Sequence, residues 1–138
     1  MENFIEVYRH LNRDNLQLLS TIYSEDVVFT DPAHEITGID QLQSYFASLY
    51  RNIHSASFGF DHTLRSGDYA YLRWTMEFSH PRLSGGKTIS LPGVSSLQFN
   101  PDDKVFRHHD FFDMGTMLYE HLPLLGSIVK TIKKRLGT

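Results

Sequence analysis

The hydrophobic pattern changes period along the chain, and that change divides it into elements. Residues 3–11 place Phe4, Ile5, Val7, Tyr8 and Leu11 at helical spacing. Asp14 is placed to cap a second short helix burying Leu16, Leu19, Ile22 and Tyr23. A strand, Val27-Val28-Phe29-Thr30, then runs into Asp31, and Pro32 ends it. The clearest helix begins near Ile39, with Leu42, Tyr45, Phe46, Leu49, Tyr50 and Ile53 forming one stripe. From Ala56 the period becomes two: Ala56, Phe58, Phe60, His62 and Leu64 alternate with small or polar residues. Ser66-Gly67-Asp68 turns the chain into a second long strand, Tyr69 to about Ser79. A loop with Gly85-Gly86 precedes a third strand, Thr88 to Phe99, and Asn100-Pro101-Asp102-Asp103 turns into a fourth, Val105 to Phe112. Helix returns after Asp113, breaks at Leu122-Pro123 and resumes to Leu136.

Helices followed by a run of long antiparallel strands define an α+β domain. The expected form is a cone-shaped α+β barrel, with three N-terminal helices on a strongly curved, mainly antiparallel sheet and a C-terminal helical extension. No linker or repeat interrupts residues 1–138, so one domain is expected, ending in an amphipathic basic segment over 122–138.

Composition narrows the chemistry. The 138 residues hold no cysteine, which excludes disulfides and thiolate catalysis. The 10 Phe and 7 Tyr suit a core wrapped around a ligand-sized cavity, or dense ordinary packing. Neither a signal-like start nor a membrane-length apolar run is seen, so the cytoplasm is the expected location. The net charge of −3 divides unevenly: the segment after residue 126 carries +4 and residues 1–126 carry −7. An acidic body argues against nucleic acid as the main ligand.

Two separated strand ends carry a carboxylate. Asp31 closes one apolar run, where a turn-opening role competes with a site role, and Asp110 lies in His108-His109-Asp110-Phe111-Phe112-Asp113. Strand alternation puts His108, Asp110 and Phe112 on one face of the last strand. On the second strand it groups Tyr71, Arg73, Thr75 and Glu77 against Leu72, Trp74, Met76 and Phe78. His34 follows in the Asp31-Pro32 loop, where a solvated ring is expected. His108-x-Asp110 supplies two metal-type ligands and spacing indicates no third, so no metal is expected. There is no phosphate-cradling glycine loop and no nucleophile elbow.

The order of elements, with Tyr8-Arg9-His10-Leu11-Asn12-Arg13-Asp14, Asp26-Val27-Val28-Phe29-Thr30-Asp31-Pro32, Gly38-Ile39-Asp40 and Phe99-Asn100-Pro101-Asp102-Asp103-Lys104-Val105, resembles the nuclear transport factor 2-like superfamily. The His-x-Asp-aromatic-aromatic-Asp stretch is similar to its SnoaL-like branch. The likeness spans roughly residues 4–120. It implies a conical pocket, no cofactor and a homodimer, in a group that holds ketosteroid isomerases, limonene epoxide hydrolase, polyketide cyclases and plain binding domains.

Carried over residue by residue, Asp31 matches the isomerase base, but Val7 and Ser95 stand where its oxyanion-holding Tyr and Asp belong. Tyr8 is one residue off. Against the epoxide hydrolase Asp-Arg-Asp set, Arg73 and Asp110 match and Thr75 replaces a carboxylate. The cyclases match at Asp110, their acid–base group. The resemblance thus implies that the Arg73 and Asp110 faces look into the cavity. Asp110, Arg73, Asp31 and His108 are the candidate catalytic residues, with an Arg73–Asp110 ion pair among them. Tyr71, Thr75, Phe58, Phe60, Ser95 and Phe112 are the candidate ligand contacts.

The outward face of the second strand, with Trp74, Met76 and Phe78, is then expected to pair with a second copy. In the tail, Ile128, Val129, Ile132 and Leu136 oppose Lys130, Lys133, Lys134 and Arg135. Packing on the parent domain or its dimer mate is the preferred fate of that stripe, ahead of contact with an anionic membrane. The functional expectation is a pocket for a small apolar, oxygen-bearing molecule, turned over by cofactor-free acid–base chemistry of the isomerase, cyclase or epoxide hydrolase type. A non-catalytic ligand-binding or regulatory domain and a scaffold acting through its dimer surface are the alternatives.

Overall fold

A computed structural model describes residues 1–53, 55–117 and 125–137. Its elements run α1 (Glu2–His10), a 3₁₀ turn (Leu16–Thr21), β1 (Tyr23–Thr30), β2 (Glu35–Thr37), α2 (Ile39–Asn52), β3 (Ser55–Ser66), β4 (Tyr69–Ser79), β5 (Ile89–Phe99), β6 (Val105–Phe112), α3 (Met114–Met117) and α4 (Leu125–Leu136). One six-stranded sheet holds every strand in the order β2-β1-β6-β5-β4-β3, and only β1 with β6 is parallel. The α+β cone is the observed fold. The helix break expected at Leu122-Pro123 lies outside the described residues.

Local chemistry explains the departures at the N-terminal end. The short helix expected after Asp14 forms only as the 3₁₀ turn. Asn15, not Asp14, sits at the start of the 3₁₀ turn, and its side chain is committed to the loop: Asn12 N–H donates to its Oδ1 at 2.7 Å, and its amide donates to the His10 carbonyl at 2.8 Å. Tyr23 opens β1 because it pairs with Val105, whose N–H donates to the Ile22 carbonyl at 2.8 Å. Pro32 does end β1, but the chain doubles back into β2, which the sequence reading did not contain. Asp31 N–H donates to the His34 carbonyl at 2.9 Å, closing that turn. Gly38 then enters α2 at φ 91°, a left-handed conformation that an L side chain strains to adopt.

The sheet puts its apolar face under the helices. On β4 that face is Ala70, Leu72, Trp74, Met76 and Phe78, all buried, while Tyr69, Tyr71, Arg73, Thr75 and Glu77 are exposed. The alternation expected for this strand is correct and its orientation is reversed. A sheet covered on one side turns its apolar row inward, because burial of five such side chains outweighs any polar placement. The dimer face expected from Trp74, Met76 and Phe78 is therefore interior. The outer face exposes Tyr69, Tyr71, Val94 and Phe111 instead.

Three cross-strand rows build the inner floor: Ala70–Leu97–His108–Phe29, Leu72–Ser95–Asp110, and Phe60–Trp74–Gly93–Phe112. Phe4 and Tyr8 of α1 and Phe46 and Tyr50 of α2 close over them.

Candidate active site

A cavity of about 60 Å³ lies between this floor and the helices, lined mainly by aromatic side chains with Asp31, Ser95, His108 and Asp110 among them. A vestibule of about 390 Å³ adjoins it, sharing Asp31, Tyr45, Leu49, Met76 and Phe112, and continues to His34, His80, Leu83 and Met114. The vestibule falls within the roughly 300–1,000 Å³ of ordinary ligand pockets.

A continuous hydrogen-bonded chain crosses the chamber. Trp74 Nε1 donates to Ser95 Oγ at 2.8 Å, and Ser95 Oγ donates to Asp110 Oδ1 at 2.5 Å. His108 Nε2 lies 2.5 Å from the same Oδ1, and its Nδ1 lies 2.6 Å from Tyr23 Oη. Tyr23 Oη is in turn 2.6 Å from Tyr8 Oη. The direction at one end is fixed. An indole N–H can only donate, so the Ser95 proton points at Asp110. Asp110 Oδ2 has no hydrogen-bond partner among the described residues, in a side chain that is mostly enclosed.

The other end has two settings. With His108 neutral and donating through Nε2 to the carboxylate, Nδ1 accepts from Tyr23, which accepts from Tyr8, and the Tyr8 oxygen is left with lone pairs only. With His108 protonated, both ring nitrogens donate, Tyr23 donates to Tyr8, and the Tyr8 proton is free to point at a ligand. His108 is 3% exposed and held among the rings of Phe4, Tyr8, Tyr23 and Phe29, with Phe29 nearest at 4.6 Å between centroids. Burial, reinforced by the nearby Asp110 charge, raises the Tyr8 hydroxyl well above its ordinary pKa; burial does the same for Tyr23. Both stay protonated at neutral pH.

Asp31 marks the boundary of chamber and vestibule, and it is saturated. Its Oδ1 accepts from Ala33 N at 2.8 Å, His34 N at 2.7 Å and His34 Nδ1 at 3.1 Å. Its Oδ2 accepts from Tyr45 Oη at 2.8 Å. Burial, and then the Asp31 hydrogen bond, raise the Tyr45 hydroxyl far above its usual range. The His34 ring is half exposed, as expected, but it is tied to Asp31 rather than freely solvated.

Of the candidate residues, Asp110, His108, Asp31, Ser95, Phe58, Phe60 and Phe112 line the cavity. Arg73, Tyr71 and Thr75 do not; they stand on the outer face of β4. Arg73 forks onto Asp61, with Nε at 3.1 Å and Nη2 at 2.6 Å from Oδ2, so the expected Arg73–Asp110 pair is absent. That contact lowers the Asp61 pKa and raises that of Arg73, in full contact with solvent. Tyr8, Tyr23, Trp74 and Tyr45 join the polar cluster of the cavity and were not among the candidates read from the sequence. Tyr8 was legible as the residue one turn from both Phe4 and Leu11 on the buried stripe that runs along α1, and Trp74 as the centre of the more apolar row of β4.

The curved sheet, the helices over it and the enclosed polar cluster define a domain of the nuclear transport factor 2-like cone type. The chain belongs to the SnoaL-like family: the SnoaL-like domain model matches residues 4–108. That match stops two residues short of Asp110. No curated protein sequence matches significantly. Among solved structures, similarity extends to an NTF2-like protein of unknown function from Burkholderia pseudomallei, at 19% identity over 86% of this chain and 93% of that one, with a TM-score of 0.75. A protein described as a SnoaL-like polyketide cyclase from Shewanella denitrificans is 22% identical over 84% and 91%, TM-score 0.71. TerC co-crystallised with polyporic acid is 18% identical over 84% and 92%, TM-score 0.73. At these identities the likeness concerns the fold. Among the described residues no helix is long and apolar enough to cross a membrane.

Proposed function

We propose that this protein is a cofactor-free acid–base enzyme in which Asp110 moves a proton on an apolar, oxygen-bearing substrate. The observation that carries the reading is the asymmetry of Asp110: Oδ1 is held by Ser95 and His108, while Oδ2 has no hydrogen-bond partner among the described residues, in a mainly aromatic chamber. A carboxylate clamped on one oxygen is oriented at no cost when substrate arrives. The chamber is small, so it takes the reacting end of a ligand whose body lies in the vestibule. Loss of a proton next to a carbonyl leaves charge on oxygen, and the Tyr8 hydroxyl is the group placed to donate to it when the Tyr23–His108 wire is set outward. The polyketide cyclase description of one structural neighbour and the co-crystallisation of another with polyporic acid support an oxygen-bearing substrate.

The experiment is deuterium incorporation from heavy water into a panel of enolisable bicyclic ketones, followed by NMR. Exchange is expected with the native protein and not with Asp110→Asn, which keeps shape and ligand affinity but cannot accept the proton. A ligand-binding role is the second reading, favoured by the saturation of Asp31. Tight binding of the ketones with no exchange at any pH would select it and remove the enzyme.

We also propose that two copies pair through the outer sheet face, around Tyr69, Tyr71, Val94 and Phe111. Support comes from their clustering on strands that pair side by side, Tyr71 facing Ser96 and Val94 facing Phe111. A solution mass of one chain at micromolar concentration would exclude it, and Phe111→Asp should lower the mass of the native dimer to that value.

A further inference from the structure

We propose that helix α4 seats the protein on an anionic lipid bilayer, with the mouth of the vestibule beside the membrane surface. The inference is independent of whether Asp110 moves a proton. It starts from the part of the tail that the parent domain leaves open. The parent domain leaves the C-terminal end of the tail's apolar stripe open: Ile132 is 52% exposed and Leu136 82% exposed.

Charge selects the occupant. Lys130, Lys133, Lys134 and Arg135 are all exposed, with no acidic residue after 126, while the rest of the chain carries −7. An anionic surface repels the body and attracts this end, so approach is oriented before contact. A twelve-residue helix with an apolar stripe flanked and opposed by cations is built to lie in the plane of a lipid interface. The apolar stripe argues for a bilayer over a polyanion in water, which would leave Ile132 and Leu136 uncovered.

The helix is tied to the site. Lys133 Nζ donates to Asp113 Oδ2 at 2.5 Å, and that contact lowers the Asp113 pKa. Met114, the next residue, lines the vestibule. Helix α3, which starts there, touches α4. The lipid-facing element is thus one residue from the opening through which a ligand reaches Asp110, and an apolar ligand can pass between bilayer and cavity with little exposure to water.

The test is co-sedimentation of the full chain with vesicles of phosphatidylcholine alone or mixed with phosphatidylglycerol, at low and high salt. The mixed vesicles should capture about tenfold more protein or better, and high salt should remove the difference. Leu136→Asp should reduce capture with the melting temperature unchanged, because that side chain is almost wholly exposed. The pair Lys130→Glu and Lys134→Glu should reduce it independently, leaving the Lys133–Asp113 contact in place. Equal capture by neutral and mixed vesicles, or none by either, overturns the proposal. So does a Leu136→Asp variant that captures normally. If Leu136→Asp instead lowers the oligomeric mass and neither form binds vesicles, the stripe is covered by a second copy and the proposal falls.

Discussion

The indole of Trp74 lies flat against the bare backbone of Gly93. The two residues pair directly across β4 and β5, and a Cβ built on Gly93 would stand 2.3 Å from Trp74 Cη2. The absent side chain is what lets the ring lie low enough for its N–H to reach Ser95. Gly93→Ala should therefore destabilise the fold by about 1–3 kcal/mol, the usual cost of overpacking. Trp74 is the sole tryptophan, so its emission reports the displacement directly. An unchanged denaturation midpoint with unchanged emission would contradict this contact.

Ser95→Ala leaves the Trp74 N–H buried without an acceptor and Asp110 without one of its clamps. A stability loss of about 1–3 kcal/mol follows from the orphaned donor. Ketone exchange, where it is observed for the native protein, should fall while ligand affinity is retained. Ser95→Thr keeps the hydroxyl and should recover part of the exchange rate, a rescue that simple loss of packing would not give.

Arg73→Ala should leave both the denaturation midpoint and any turnover unchanged. The guanidinium serves Asp61 in solvent on the opposite side of the sheet from Asp110. A loss of turnover in this variant, with the fold intact, would restore the arginine to the site and invalidate the orientation of β4.

Four tyrosines give a pH signature. Tyr8, Tyr23, Tyr45 and Tyr50 all have raised hydroxyl pKa values, with burial the largest cause, and Tyr50 is pushed up to about 12. A raised folded pKa means that the native state holds its proton more tightly than the unfolded chain. The associated stability is complete below the unfolded value of about 10 and is lost as pH climbs from there through the folded values. Ultraviolet titration should show these four ionising late and together with unfolding, and the melting temperature should be insensitive to them up to about pH 10. Smooth ionisation of all tyrosines near their ordinary value, with the fold intact, would refute the enclosed chamber.

The four strands after residue 54 were legible in the sequence almost residue for residue, because alternation over eight to twelve positions is a strong signal, whereas only the second half of β1 was read as strand. The bounds Tyr69–Ser79 and Val105–Phe112 coincide with β4 and β6. The orientation of a strand is a separate question. On β6 the charged residue and the cavity face coincide, so Asp110, His108 and Phe112 were placed correctly. On β4 they oppose each other, and the apolar row Ala70–Phe78, not Arg73, takes the inner face. The three-residue β2 is too short for any period, and its turn depends on how the Asp31 carboxylate is spent. The relay from Tyr8 to His108 joins α1, β1 and β6, and nothing in the spacing of positions 8, 23 and 108 announces it.

Strand β6 comes last of the six in the chain and yet lies in the middle of the sheet, between β1 and β5. During synthesis the protein must wait for it: before residues 105–112 emerge, the sheet exists as two pieces, each with a long unpaired edge open to misassociation. Closure depends on contacts between the first and last thirds of the chain, the slow, non-local kind. The strand that closes the sheet is the same one that brings Asp110 and His108. A chain that has not finished folding therefore cannot hold Asp110 between Ser95 and His108, and any chain that does so has closed its sheet.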